Sequence, residues 1–329
     1  MTVAPLRSEG IHQVFADAVE PHRRELLVHC YQMLGSVADA QDLVQETMER
    51  AWRAYDRYDP TRASMRTWLY RIATNACLNA LDSRRRRPLP SGVGKPFDDP
   101  EGPFVPGFEV PWLQPFPDRA FGGPPADPAE QAVERSRIRL AFVAALQLLS
   151  AKERAVLILR EVLTFTAQEV AATLNTTVPA VNSALQRARA TVGRADPKPE
   201  SMSEPVQAMK ATVDHYMSAF ERADVAALAR LLADEVVLEM PPMWNWYQGR
   251  TAYAGFMRRV FSQRGTSWRT LPTSANGQSA MVAYAHQEGG YRLHTLQVFT
   301  TGAAGTVTRT TVYQDPDVFA LFDLARTID

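Results

Sequence analysis

No run of this 329-residue chain approaches the ~18 consecutive apolar residues of a bilayer-spanning helix, and no apolar stretch follows a basic start as in a secretory signal. The expectation is a cytoplasmic protein with no membrane association. Cysteine is nearly absent. Its only two copies, Cys30 and Cys77, lie on apolar helix faces and read as buried thiols of a reducing compartment rather than a disulfide. An excess of either charge is also missing, with 36 basic and 36 acidic residues. A general polycation is thereby excluded, so any hold on nucleic acid must come from local patches. Neither a metal nor a cofactor is expected. The length suggests two or three domains.

What is present is clearest between Leu149 and Val192. Val156, Leu157, Leu159, Val162 and Leu163 form one amphipathic helix. Thr166 opens another, with Glu169 three residues on in a capping-box pattern, and Asn175-Thr176-Thr177 ends it. A further helix begins near Val178-Pro179, where proline's missing N–H costs nothing. It carries Val181, Ala184, Leu185 and Ala188 inward and Asn182, Ser183, Gln186, Arg187 and Arg189 outward. Such a helix-turn-helix offers amide, hydroxyl and guanidinium donors to base edges and phosphates. An ordinary three-helix packing unit with a solvated face has the same pattern.

The N-terminal third decides between the two. Arg24 to Trp52 reads as two amphipathic helices broken at Gly35-Ser36; the second, from Asp39, buries Ala40, Leu43, Val44 and Met48 and shows Asp42, Glu46 and Glu49. Tyr55 to Tyr70 is a loop opening into a third helix. Between Thr61 and Arg87 there are seven arginines and one acid, Asp82, interleaved with Trp68, Tyr70, Asn75 and Asn79. Rings on which bases stack, beside guanidinium groups that hold the backbone, suit single-stranded nucleic acid.

On these three segments, in this order and spacing, the chain resembles bacterial RNA polymerase sigma factors of the extracytoplasmic-function class. The resemblance implies an all-α region-two bundle and an all-α region-four helix-turn-helix. It also implies two partners, core RNA polymerase and promoter DNA. Asp39, Asp42, Leu43, Glu46 and Glu49 would then dock on polymerase. Asp59, Thr61, Arg62, Ser64, Arg66, Trp68, Asn75 and Asn79 would open and read the minus-ten element, with Arg84 and Arg85 on phosphate. Asn182, Ser183, Gln186, Arg187 and Arg189 would read the minus-thirty-five element. No chemistry is expected of the chain itself.

Pro88 to Pro128 separates the two units and holds twelve of the 23 prolines with six glycines, so it makes neither helix nor sheet. Phe97, Phe104, Phe108, Trp112, Phe116 and Phe121 punctuate it, which predicts packing onto another surface. A second proline-rich joint, Ala195 to Pro205, introduces helices over Val206–Ala223 and Val225–Leu232. Alternating strands follow at 236–240, 278–287, 291–300 and 306–314, an α+β order. With LLADEVVLEMPP, WYQGR and YQDPDVF, this tail resembles the SnoaL-like branch of the nuclear-transport-factor-like cone fold. The resemblance implies a pocket, for which Met240, Trp244, Trp246, Tyr247, His294 and Tyr313 are candidates. The domains expected are 1–87, a linker 88–130, 131–195, a joint 196–205, and 206–329. The tail is expected to regulate through an intramolecular contact with the sigma core or by sensing a small molecule. A ligand-binding or enzymatic tail merely addressed to DNA by the rest is the alternative.

Overall fold

The computed structural model describes residues 4–82, 86–121, 138–195, 206–302 and 304–329. They form two compact units: Met1–Arg86 with Ala145–Ala195, and Arg87–Ala144 with Asp196–Asp329.

The first unit is helical. Helix α1 spans Ala4–Leu34, α2 spans Val37–Ala54 and α3 spans Met65–Asp82. Gly35 at φ 69° and Ser36, whose hydroxyl accepts from the Asp39 amide, turn the chain from α1 into α2. α1 starts some twenty residues before the Arg24 expected from the pattern and runs through Pro21. Burial of Phe15 and Val19 holds this first stretch despite the hydrogen bond that proline removes.

Helix α4 (Leu140–Leu146) belongs mostly to the second unit; in the first, α5 (Ala151–Leu157) continues as one π turn over Ile158–Val162. Then come α6 (Ala167–Thr173) and α7 (Val178–Ala195). Both Ser150/Glu153 and Thr166/Glu169 close complete capping boxes. Asn175, at φ 49°, ends α6 in the left-handed region that asparagine tolerates.

Within this unit the helix-turn-helix packs on the N-terminal bundle. The Tyr70 and Phe165 rings meet edge to face at 5.5 Å, and the Gln147 amide donates to the Gln32 carbonyl at 3.3 Å. Arg154 is 2% exposed. Its guanidinium donates to the Met33 carbonyl in the last turn of α1 and, at 2.7 Å, to Gln147 Oε1. A cation there satisfies a carbonyl that the helix end orphans and meets the negative end of its dipole.

His29, buried in the bundle, bonds Thr74 Oγ1 at 3.0 Å and stands edge to face with Tyr70 at 5.2 Å. Burial, then the Arg66 charge, push its pKa down to about 3 from 6.5. The unfolded chain therefore takes up a proton between these values that the folded one refuses, and stability falls as pH drops below 6.5. At pH 4.5 the loss is roughly 3 kcal/mol by that linkage. Urea unfolding at pH 7 and 4.5 should show it, and His29→Gln should flatten the difference; an unchanged slope would refute the assignment.

The second unit is α+β. Helices α8 (Val206–Glu221) and α9 (Val225–Arg230) precede strands β1 (Leu232–Glu239) and β2 (Trp246–Gln248). Helix α10 (Arg250–Arg264) follows, then β3 (Trp268–Ala275), β4 (Gln278–Gln287), β5 (Gly290–Thr301), β6 (Val307–Tyr313), α11 (Pro316–Leu321) and β7 (Thr327–Ile328). The sheet order is β2-β1-β6-β5-β4-β3, with β7 on β5; β1 and β6 run parallel and the other pairs antiparallel. Val213, Tyr216 and Phe220 of α8 and Phe256 and Phe261 of α10 build the core against Leu238, Met281, Ala283 and Phe299. Inside it Tyr216 and Tyr253 share a hydroxyl contact of 2.6 Å, and Tyr253 donates to Thr310 at 3.0 Å.

In the proline-rich segment 88–130, whose aromatics predict packing onto another surface, the described residues belong to the α+β unit. Residues 87–121 are a strap fastened along the α+β domain. Proline removes the donors a ladder needs, so the remaining backbone groups pair with asparagine side chains and strand-end backbone. Asn245 Oδ1 accepts from the Val105 amide at 2.7 Å, and Asn276 Oδ1 from the Phe116 amide at 2.7 Å. Trp112 and Phe116 are buried, and Trp112 stands edge to face with Trp244 at 5.1 Å. Phe97 and Phe104 pack on the domain, whereas Phe108 is 73% exposed. At Gly107 a Cβ would lie 2.8 Å from the Trp112 ring and 2.9 Å from Trp244 Nε1, so only glycine permits the strap to lie this close.

Candidate functional site

Helix α7 presents two distinct faces. Val181, Ala184, Leu185 and Ala188 are buried, while Asn182, Ser183, Gln186, Arg187 and Arg189 are exposed. The arginines are engaged within the unit: Arg187 Nε meets Glu153 Oε1 at 2.7 Å, and Arg189 pairs with Glu161. The Arg187 guanidinium, followed by the Ser150 hydroxyl, holds Glu153 below the usual carboxylate range. Asn182, Ser183 and Gln186 at the front of the helix thus offer neutral donors and acceptors, with a pair of tethered cations behind.

The minus-ten candidates lie on the loop before α3 and along that helix. Asp59 accepts from the Thr61 hydroxyl at 2.7 Å and its amide at 2.9 Å, bonds that hold its carboxyl below the usual range and close a tight turn. The Ser64 hydroxyl accepts from the Thr67 amide at 3.1 Å as α3 begins. Arg62 and Asn79 are exposed, and Trp68 packs beside Tyr58 with ring centroids 4.9 Å apart. Two candidates are turned inward. Arg66 pairs with Glu25 at 2.9 Å and covers the Tyr70 and Phe165 rings at 5.0 and 5.1 Å; Asn75 donates to Arg71 O at 2.8 Å and Thr173 O at 3.5 Å. Arg84 and Arg85 lie outside the described residues.

Along α2, Asp42 and Glu49 are exposed, Asp39 sits in the first turn, and Glu46 pairs with Arg50. Glu49 reaches Arg53 at 3.4 Å. Leu43 departs from its expected role: it is 8% exposed and packs into the bundle, so it stabilises the helix instead of offering a contact.

The pocket candidates separate into three groups. A cavity of about 120 Å³ in the α+β domain is lined by Met240 and His294, together with Phe104, Phe220, Leu238, Tyr253, Met257, Val260, Gln297 and Gln314. Tyr313 lines a second, of about 280 Å³, under the strap's Phe108–Gln114 stretch and beside Pro241-Pro242. Trp244, Trp246 and Tyr247 line neither. The indole of Trp246 donates to the strap's Gly94 carbonyl at 3.2 Å, Trp244 meets Trp112, and Tyr247 packs on Phe256 at 5.4 Å. Their apolar area is spent on strap and core. After β6, Val318 and Phe322 are also buried within the α+β unit, and Arg119 donates to Leu321 O at 3.1 Å.

Sequence reasoning missed Glu239, which is fully buried. It accepts from Ser91 N and Oγ at 3.2 and 2.7 Å, Arg309 Nη1 at 2.7 Å and Thr311 Oγ1 at 3.1 Å. This carboxylate clamps the start of the strap to β1 and β6. Only its position in an apolar strand hints at burial. Among the described residues no group of His, Cys, Asp and Glu could hold a metal ion, and no helix is long and apolar enough to cross a membrane.

Comparison with known proteins places these sites in context. The Sigma-70 region 2 family matches residues 18–87, Sigma-70 region 4 matches 139–192, and the SnoaL-like domain family matches 213–313. The chain is 43% identical over 316 residues to the ECF RNA polymerase sigma factor SigG of Mycobacterium tuberculosis (strain ATCC 25618 / H37Rv), covering 94% of this chain and 84% of that one. It is 31% identical over 189 residues to the RNA polymerase sigma factor CnrH of Cupriavidus metallidurans, covering 57% of this chain and 89% of the relative. The crystal structure of the Mycobacterium tuberculosis extracytoplasmic function sigma factor SigJ superposes with a TM-score of 0.64 at 21% identity, over 94% of this chain and all of the other.

Proposed function

The chain belongs to the extracytoplasmic-function sigma factors, and we propose from that membership how its parts divide the work of transcription initiation. The acidic side of α2, with Asp39, Asp42, Glu46 and Glu49, docks on core RNA polymerase. The loop and helix from Asp59 to Asn79 open the minus-ten element, and α7 reads the minus-thirty-five element. The observation that carries this reading is α7 itself, whose buried inner face leaves Asn182, Ser183 and Gln186 free to face a major groove.

The two promoter elements lie about 25 base pairs apart by their names, or ~85 Å at ~3.4 Å per pair. Region two and region four in contact cannot span that distance. Engagement of promoter therefore separates them, which also frees Arg66 and Asn75 from Phe165 and Thr173. The α+β domain, through its grip on the strap, regulates that separation and performs no chemistry of its own.

Run-off transcription with core polymerase, comparing the full chain with one ending near Asp196, tests the whole reading; no promoter-specific transcript from either would overturn it. Within it, Gln186→Ala should shift the preferred minus-thirty-five sequence at one or two positions, by ~1–3 kcal/mol for a bidentate contact. Arg187→Ala should instead weaken all sequences alike and flatten the salt dependence. A promoter-library selection distinguishes the two, and an unchanged preference in Gln186→Ala removes that residue from the readers.

A further inference from the structure

We propose that the smaller cavity of the α+β domain binds a small amphipathic carboxylate, its apolar body among Phe220, Leu238, Met257 and Val260 and its acid held by Arg264 and His294. The assignment deepens the regulatory reading of this domain, because the strap supplies part of the cavity wall.

Size sets the first limit. An apolar cavity of ~150 Å³ accepts benzene, whereas a lone water needs only ~10–15 Å³. At about 120 Å³, this one suits a single ring or a short branched chain rather than a long acyl tail.

Polarity sets the second. The Gln314 amide stands 3.2 Å from His294 Nδ1. An amide N–H there makes Nδ1 the acceptor, so the ring proton sits on Nε2 and that nitrogen is a donor. Burial, then the Arg264 charge, push His294 down to about 4, so it is a neutral donor at physiological pH. Arg264 also lines the cavity and forms no ion pair among the described residues. A lining with one cation, several neutral polar groups and no carboxylate favours an anionic acceptor. A carboxylate gains charge-assisted bonds there that a neutral ligand of the same shape cannot make.

The strap contributes Phe104 to the cavity wall, held between the Phe256 ring at 6.2 Å and the Arg259 guanidinium at 4.3 Å. Arg259 also donates to Pro100 O at 3.1 Å. A bound ligand therefore packs against the strap and tightens its seat.

Calorimetric titration of the full chain with phenylacetate and with phenylacetamide tests this, since the two share a body and differ in charge. Phenylacetate should bind at least tenfold more tightly. Arg264→Gln, an exposed position whose change spares the core, should bring the acid to the level of the amide and leave the amide unaltered. Met257→Trp, with its circular dichroism matched to the parent, should remove both. Absence of binding, equal affinities, or an acid preference that survives Arg264→Gln would each overturn the proposal. The titration contains no polymerase, so its failure leaves the transcriptional reading standing, and the converse holds.

Discussion

Glu239→Ala should cost the α+β domain about 3 kcal/mol and loosen the strap before the rest unfolds. Removing one partner of a buried ion pair leaves the other uncompensated, at ~3–5 kcal/mol. Arg309 retains 28% side-chain exposure and can turn partly to water, which puts the loss at the lower end. Ser91 loses the acceptor for both its amide and its hydroxyl, and Thr311 loses its own. Glu239→Gln keeps the shape and an acceptor oxygen, so it should lie between the parent and the alanine variant. Urea unfolding gives the magnitude. Limited proteolysis gives the place: new cleavage should concentrate between Leu89 and Lys95. Equal stability and an unchanged digest would mean that the carboxylate does not hold the strap.

The second large effect is expected at Arg154. Hydrogen bonds to a charged group contribute ~1.5–3 kcal/mol each, against ~0.5–1.5 for neutral ones. Burial lowers the Arg154 pKa only to about 10, so it is cationic at neutral pH and its bond to the α1 carbonyl is of the stronger kind. Arg154→Met fills much of the same volume and removes that bond. The equilibrium between packed and separated regions two and four should move ~10- to 100-fold toward separation. Binding of a minus-thirty-five duplex without polymerase should rise accordingly, and small-angle scattering should report a larger particle. A variant that scatters and binds like the parent would show that Arg154 only stabilises the helix-turn-helix. Gln147→Ala keeps the guanidinium while removing one of its other acceptors, and should shift the equilibrium less.

These two residues show where sequence ceased to be legible. The helix-turn-helix was readable because its determinants are local. Thr166 and Glu169 are three positions apart, Asn175 follows the last turn, and the inner and outer residues of α7 alternate with the helical period. The strands over 278–287 and 306–314 were legible for the same reason. Arg154 and Glu239 were not, because their partners lie 121 and 148 residues away, and one of the partners is a backbone carbonyl with no sequence signature. Asn245 and Asn276 behave alike: each reads as a turn residue, and Asn276-Gly277 does form the tight β3–β4 turn, both at positive φ. That the same side chain also accepts from Phe116 depends on a strap with no periodicity. α10 and β3 are not legible, because Pro272 interrupts the strand and the helix buries Tyr253, Phe256, Met257 and Phe261 amid four arginines.

Of the candidate sites, exposure on α7 followed from the pattern, but the inward turn of Arg66 and Asn75 did not. Both sit on α3 where a solvated face was expected, and only the arrival of Phe165 and Thr173 changes what they meet.

The strap also measures out chain. The segment between region two and region four sets how far the second can travel from the first. Here residues 87–121 of that segment are wound onto a third domain, at Ser91, Phe97, Val105, Gly107 and Phe116. Fully extended, those residues would reach ~120 Å, more than the promoter interval requires. Fastened, they contribute almost no slack. On the proposed reading the α+β domain acts as a reel, and a change at Glu239 or Asn245 that frees a few residues would alter how far region four can go without touching either proposed DNA-reading surface.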